Sequence, residues 1–330
     1  MKFRKVQEVG RGTLLVSLPK DWARRMGVKR GGFVAVWERS DGCLIIDPSY
    51  GRMEEASKIT ITFAGKDEEK VRWEVLGAYL LGYDIIEIKT EGRINPEARE
   101  RIKAAIENLI GLEILEEDSS RLVAQCLIDP SAVAPKKLLH RENTITVGMH
   151  RDAVTSLLRG DRRLAQLVVK RDDEVDRIHF LIVRLLRSAV RNPRLADKFA
   201  VTSIDCLDYR VVANVIEAIG DYAVEMAEVY LGLPKDVKRE DLSIVLREVS
   251  EILCEMQNLA VGAFLAKKIN LVGKVKIDLH HKLIERLNHL DRLVAKEDTE
   301  LIPGLNSISA SLAKIGRCCV DIADLVIPLS

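Results

Sequence analysis

The chain has 330 residues, 47% of them hydrophobic, 31% charged and only 5% aromatic, with a formal net charge of +1; that is enough for about two or three soluble domains with buried cores, and it favours helix packing over a β-sandwich. The six cysteines form no C-x-x-C pair and none sits close to a histidine, which excludes zinc fingers and a secreted disulfide framework. Charges begin at Lys2, unlike a signal peptide, and no uninterrupted apolar stretch approaches the roughly 20 residues of a membrane span, so a cytoplasmic location without membrane insertion is expected.

Residues 1–48 read as short strands and one short helix. Phe3–Val9 alternates polar and apolar residues, Gly10-Arg11-Gly12 turns the chain, and Thr13–Leu18 is a β-branched, apolar strand. Pro19 can start a helix and Gly27 can end it, which places the helix over Lys20–Met26. Gly31-Gly32 opens a strand at Phe33–Trp37, and Ser40-Asp41-Gly42 turns into a last strand, Cys43–Ile46, stopped by Pro48. A unit of this size buries little core alone, so it is expected to need a second copy of itself.

Residues 57–130 predict a small α/β layer of βαβαββ order. Its parts are a strand at 58–63, a helix at 67–81 ended by Gly82, a strand at 84–89 and a helix at 96–110 ended by Gly111. A hairpin of 112–115 and 122–128 then closes around Asp118-Ser119-Ser120. The layer carries no Gly-rich phosphate loop and no cluster of His, Cys or acids suited to catalysis.

From about Ala134 onward apolar residues recur at three- and four-residue spacing, as in Leu164, Leu167, Val168, Val175, Ile178, Ile182 and Leu185. Breaks at Gly160, Asn192-Pro193, Gly232-Leu233-Pro234, Asn270 and Pro303-Gly304 delimit helices over roughly 136–159, 161–190, 203–231, 239–267, 271–296 and 305–327. The third carries Ile219-Gly220 followed by Val224 and Ala227; the sixth carries Ile315-Gly316 followed by Val320 and Ala323, a shift of 96 positions. This points to one three-helix unit used twice.

The near-neutral total hides a basic head: residues 1–39 hold ten Lys/Arg against three Asp/Glu. Arg4, Lys5, Arg11, Lys20, Arg24 and Arg25 lie on different elements around a tight turn and a short helix, and guanidinium groups suit phosphate oxygens and guanine edges. A solvated basic surface, or one paired with acids elsewhere in the chain, explains the charge alone equally well. Residues 4–48 also resemble the AbrB/SpoVT swapped-hairpin domain, in the opening strand, the glycine turn, Ser17–Trp22, Met26–Gly32 and Asp41–Pro48. The resemblance implies an intertwined homodimer that binds double-stranded DNA through those basic side chains. Some members of that family act as antitoxins, so a protein partner beside DNA stays open.

The helical half supplies acids. Asp172 and Asp176 stand one turn apart on one helix face, and Glu217 and Asp221 repeat the spacing on the next long helix. Two such pairs on facing helices can hold a divalent cation such as Mg, Mn, Fe or Zn with water completing the shell. A solvated acidic face paired with Arg177 or Arg210 is the plainer alternative. Residues 172–178 and 216–228 resemble the PhoU helical repeat, and the likeness runs over about 136–330. It implies that the two pairs are that family's E/D-x-x-x-D motifs, some of which bind metal clusters. In the second repeat Ala313 and Arg317 replace Glu217 and Asp221, with His281 and Glu285 opposite Asp172 and Asp176, so metal is expected in the first repeat only.

His280-His281 with His289 near Glu285 is a weaker metal candidate, Gly10-x-Gly12 is a hairpin turn and not a nucleotide loop, and no motif supports enzyme catalysis. The expected fold is therefore multidomain α+β: a swapped-hairpin β head over 1–50, a small α/β layer over 57–130, and a PhoU-like pair of three-helix bundles over 136–330. That order of parts is similar to archaeal phosphate-uptake regulators. It implies a DNA-binding transcriptional regulator of phosphate uptake, or alternatively an accessory protein that docks on a phosphate transporter or sensor kinase while the head mainly dimerises.

Overall fold

A computed structural model of the chain describes residues 3–10, 12–38, 42–48, 56–62, 68–237 and 239–326. The chain forms two compact units, 1–56 and 57–330. In the first, β1 (Gln7–Val9) pairs antiparallel with β2 (Thr13–Leu15), and β3 (Ala35–Glu38) pairs antiparallel with β4 (Leu44–Asp47). The turn of the first hairpin uses Gly10 and Gly12 at φ +67 and +99, where a side chain would strain the backbone. Between the hairpins lies α1 (Lys20–Arg25), entered from the extended backbone of Pro19. The first three strands are shorter than the alternation predicted, and the fourth keeps its four residues one position later, in two separate two-stranded ladders. No described residue of this unit is buried, and Phe3, Leu14, Phe33 and Leu44 are 67–91% exposed.

The second unit opens with the α/β layer: β5 (Lys58–Thr62), α2 (Glu68–Leu80), β6 (Ile85–Lys89), α3 (Pro96–Glu107), β7 (Leu112–Glu117) and β8 (Arg121–Cys126). The sheet order is β5-β6-β8-β7, with β5 and β6 parallel and the other pairs antiparallel. Val71, Val75 and Tyr79 of α2 and Ile102 and Ile106 of α3 pack on Ile86, Ile88 and Leu122 of the sheet. Asn95 caps α3 by accepting from the Ala98 amide, with Pro96 in the first turn. In the closing hairpin the first strand runs two residues further than predicted and the second starts one residue and ends two residues earlier, and a bulge between Ile114 and Glu116 shifts the register.

The rest is helical: α4 (Pro135–Arg159), α5 (Arg162–Arg191), α6 (Pro193–Phe199), α7 (Ser203–Gly232), α8 (Glu240–Ala266), α9 (His280–Val294) and α10 (Ile302–Asp324). The helices α4, α5 and α7 pack on one another, as do α8, α9 and α10; α4 meets α8 and α7 meets α10 across the two groups. Gly220 and Gly316 serve the same purpose in their groups. A Cβ on Gly220 would stand 3.4 Å from Thr146 of α4 and 3.5 Å from Val175 of α5; on Gly316 it would stand 2.2 Å from Leu283 of α9 and 3.5 Å from Leu253 of α8. Each glycine lets the third helix close on the other two.

Three breaks read differently in three dimensions. Asn192-Pro193 starts α6, with the Asn192 side chain accepting from the Arg194 amide. Pro303-Gly304 falls inside the first turn of α10, where proline is tolerated. The fifth helix is reached through a π-helical stretch, Lys274–Leu279. By length and composition α8 is apolar enough to cross a membrane, but 56% of its most apolar window is buried inside the bundle.

The α/β layer is fastened to α5. The Arg184 side chain, almost fully buried, donates to the carbonyl oxygens of Tyr79 at 2.7 Å and Tyr83 at 2.9 Å and lies 4.9 Å over the Tyr79 ring. Arg191 donates to the Leu81 carbonyl. Two cations thus add donors to carbonyls at and just past the C-terminal end of α2, that of Tyr79 also accepting from the Gly82 amide, where the helix dipole favours positive charge.

Candidate functional site

The apolar stripes of α5 and α7 fix where the acids stand. Val175, Ile178 and Ile182 of α5 and Ile216, Ile219 and Ala223 of α7 are buried, so the residues beside them fall at the rim between the two helices. Asp172, Asp176 and Glu217 are half-buried there and Asp221 is exposed. Gly220 brings the α7 backbone against α5, with its Cβ position 3.7 Å from Asp172 Oδ1. The four predicted acids are therefore one cluster.

Its electrostatics are largely uncompensated. Burial, then the charges of Asp221, Asp176 and Asp172, push Glu217 up to about 7, against a smaller opposing pull from Arg210. Burial, then Asp176 and Asp221, push Asp172 up to about 6. Asp176 is raised by burial and Asp221, and Asp221 by burial. Neither Arg177 nor Arg210 forms an ion pair with these acids among the described residues. The plainer expectation, an acidic face neutralised by those two arginines, is not the arrangement seen.

Sequence reasoning missed the deepest member. Glu142 of α4 is fully buried, and neither of its carboxyl oxygens has a hydrogen-bond partner. Burial and the nearby Glu217 push its carboxyl well above the usual carboxylate range. His179 Nδ1 lies 3.6 Å away, and burial pulls that imidazole down to about 4. A signal existed: Glu142 falls in step with Leu138, Leu139, Thr146 and Met149 on the buried stripe of α4. On the same helix His150 Nε2 lies 3.0 Å from Gln257 Oε1, and Gln257 donates to Thr146 Oγ1 at 2.8 Å, a buried polar link from α4 to α8.

The oxygen donors fit the chemistry of a hard divalent cation, and Asp172 Oδ1 and both Glu142 oxygens are buried without partners. Among the described residues, however, no group of three His, Cys, Asp or Glu side chains is gathered to hold one metal ion. The second repeat lacks the cluster altogether. Ala313 and Arg317 are exposed, and His281 and Glu285 make an exposed pair at 3.4 Å. Ser311 and Lys314 of α10 instead face across to the first group, where Glu225 of α7 accepts from Ser311 Oγ at 3.0 Å and pairs with Lys314 at 3.2 Å.

In the first unit Arg4, Lys5, Lys20, Arg24 and Arg25 are all exposed, and none makes an ion pair among the described residues. Arg4 and Lys5 precede β1, and the other three lie on α1. Arg11 lies outside the described residues.

Residues 139–230, from the first turns of α4 to the end of α7, match the family model described as the PhoU domain. This helical part is PhoU-like. It contains Glu142, His179 and all four clustered acids. The crystal structure of PhoU from Pseudomonas aeruginosa is similar in fold, with 20% sequence identity, coverage of 58% of this chain and 93% of that one, and a TM-score of 0.51. A second similar structure is the phosphate transport system regulatory protein PhoU from Streptococcus pneumoniae, with 13% identity, 58% and 91% coverage, and a TM-score of 0.48. No curated protein matches the chain.

Proposed function

We propose that this chain is a cytoplasmic regulator of phosphate transport that works by docking its helical part on a phosphate transporter component or its sensor kinase. The observation that carries the reading is the PhoU-domain match over 139–230, which falls on the three-helix group holding the carboxylate cluster. Regulation by docking asks no catalysis of the chain, and no nucleophile or acid–base set is needed for it. The test is retention of the full chain on the purified transporter ATPase subunit and on the sensor kinase from the same cells. Retention of the chain on either one is expected, and loss of retention when 136–330 is removed. Failure to retain the full chain on both partners contradicts the reading.

A second reading concerns the head, and a specific observation favours it: a unit with no buried described residue and five exposed, unpaired cations. A swapped-hairpin homodimer would cover Phe3, Leu14, Phe33 and Leu44 and double the positive field along duplex DNA. Light scattering at micromolar concentration should give a dimer or an even multiple, and removal of 1–50 should abolish it; a full-length monomer rules the dimer out. The Arg24→Ala/Arg25→Ala variant should bind duplex DNA more weakly, with the salt slope reduced by about one unit for each phosphate no longer engaged. Unchanged affinity and slope in the folded variant would remove these arginines from any DNA interface, leaving dimerisation as the role of the head.

The carboxylate cluster is the proposed seat of a divalent cation, Mg, Mn, Fe or Zn. Since no three side chains among the described residues are gathered to ligate one ion, such a cation would take few protein ligands and several waters, and bind weakly.

A further inference from the structure

We infer that the groove where α2, α3 and α5 meet is a binding site for a small molecule that joins an aromatic ring to an anionic group, the chemical class of the nucleotides. The groove encloses about 290 Å³ and is lined by Arg72, Trp73, Asn108, Asp176, Arg177 and Phe180 among others. A second hollow of about 230 Å³ continues it between α2 and α3, sharing Arg72 and Asn108 and adding Arg101. Run together they reach the size range of small-ligand pockets, roughly 300–1,000 Å³.

Three side chains here are without the partners that such groups usually have. Trp73 is 66% exposed, on the solvent side of a helix whose neighbouring Val71 and Val75 are buried, and it makes no ring contact among the described residues. Arg72 and Arg177 make no hydrogen bond or ion pair among the described residues; Arg72 is only near enough to pull the Asp176 carboxyl down through its charge. An indole face beside two open guanidinium forks offers stacking to a flat ring and paired donors to a phosphate group.

The acids in the groove narrow the class. Asp173 and Asp176 would repel a bare phosphate but accept hydrogen bonds from hydroxyl groups. An anion that brings its own ring and hydroxyls, as a nucleotide does, engages all three kinds of lining; inorganic phosphate engages one and opposes another. The residues come from α2, from just past α3 and from α5, more than 100 positions apart in sequence, so no contiguous motif announces them. Asp176 also belongs to the carboxylate cluster, so an occupant would touch the edge of that site. The inference does not depend on the phosphate-transport reading.

The test is calorimetric titration of the full-length chain with AMP, ADP, ATP and GTP, with adenosine and inorganic phosphate as partial ligands. At least one nucleotide should bind saturably, with adenosine and phosphate each at least about tenfold weaker. Arg72→Ala, Arg177→Ala and Trp73→Ala should each weaken that nucleotide at least about tenfold, while Arg292→Ala, on α9, should not. These groove residues are exposed at the surface, and unchanged melts will establish that the variants fold. Absence of saturable nucleotide binding at millimolar concentration overturns the inference. So does phosphate binding as tightly as the best nucleotide, or undiminished binding in the Arg72→Ala/Trp73→Ala double variant.

Discussion

Replacing Arg184 with alanine should lower the stability of the second unit by about 3 kcal/mol in denaturant unfolding. The side chain is 3% exposed and donates to two main-chain carbonyls, of Tyr79 and Tyr83, at the end of α2. Removing it takes a donor from both carbonyls, of which Tyr79 keeps the Gly82 amide, empties the space over the Tyr79 ring, and takes away the cation that faces the negative end of the helix. The Asp84 contact at 3.6 Å adds little, because that carboxylate is 42% exposed. Arg184→Lys should recover only part of the loss: both bonds come from one nitrogen, Nη1, which an ammonium can imitate, but an ammonium does not reproduce the planar group lying 4.9 Å over the Tyr79 ring. A loss under about 1 kcal/mol in the alanine variant would mean that the layer is held on α5 by apolar contact alone.

The second large effect is on the pH dependence of the melt. Glu217 is raised to about 7 and Asp172 to about 6 in the folded chain, above their ordinary values of 4.5 and 3.8. Between those ordinary values and the raised ones, the folded state holds protons that the unfolded state has released. Stability from these groups is therefore full below about pH 4, falls as pH rises toward 7, and is level above it. The loss should be on the order of 2 kcal/mol after discounting for partial solvent access. Glu217→Gln and Asp172→Asn should each flatten the curve and raise the melting point at pH 8. A bound divalent cation acts oppositely, displacing the shared protons and stabilising the folded state at neutral pH. Melts at pH 7.5 should thus rise with Mn, Fe or Zn, lose that rise in Asp172→Ala/Asp221→Ala, and keep it in His281→Ala. If no cation moves the melt, the cluster is an acidic seam that holds no metal and the metal proposal fails.

Much of the helical part can be read directly in the chain. Apolar spacing locates the long helices to within a few residues, except that the fifth begins nine residues later than predicted after its π-helical entry, and the Ile219-Gly220 and Ile315-Gly316 pairs mark equivalent close approaches in the two groups. The acid pairs are legible because i and i+4 residues on a helix must share a face. What escaped the sequence depends on partners distant along the chain. Glu142 stands in step with the apolar stripe of α4, but that it is fully buried shows only once the bundle closes over it. Arg184 looks like a surface charge until the end of α2 lands on it. The groove at Trp73 needs three helices to exist, and the bulge in β7 follows from pairing that local alternation does not encode. Within the head, exposed apolar residues on both hairpins leave a single copy of the described chain without a core.

Phosphate uptake in the host cells is the most direct readout of regulation by docking. Deleting the gene should uncouple uptake from external phosphate. The full chain should restore that response, and a version lacking 136–330 should not. An unchanged response in the deletion strain would contradict a role for this protein in regulating phosphate transport.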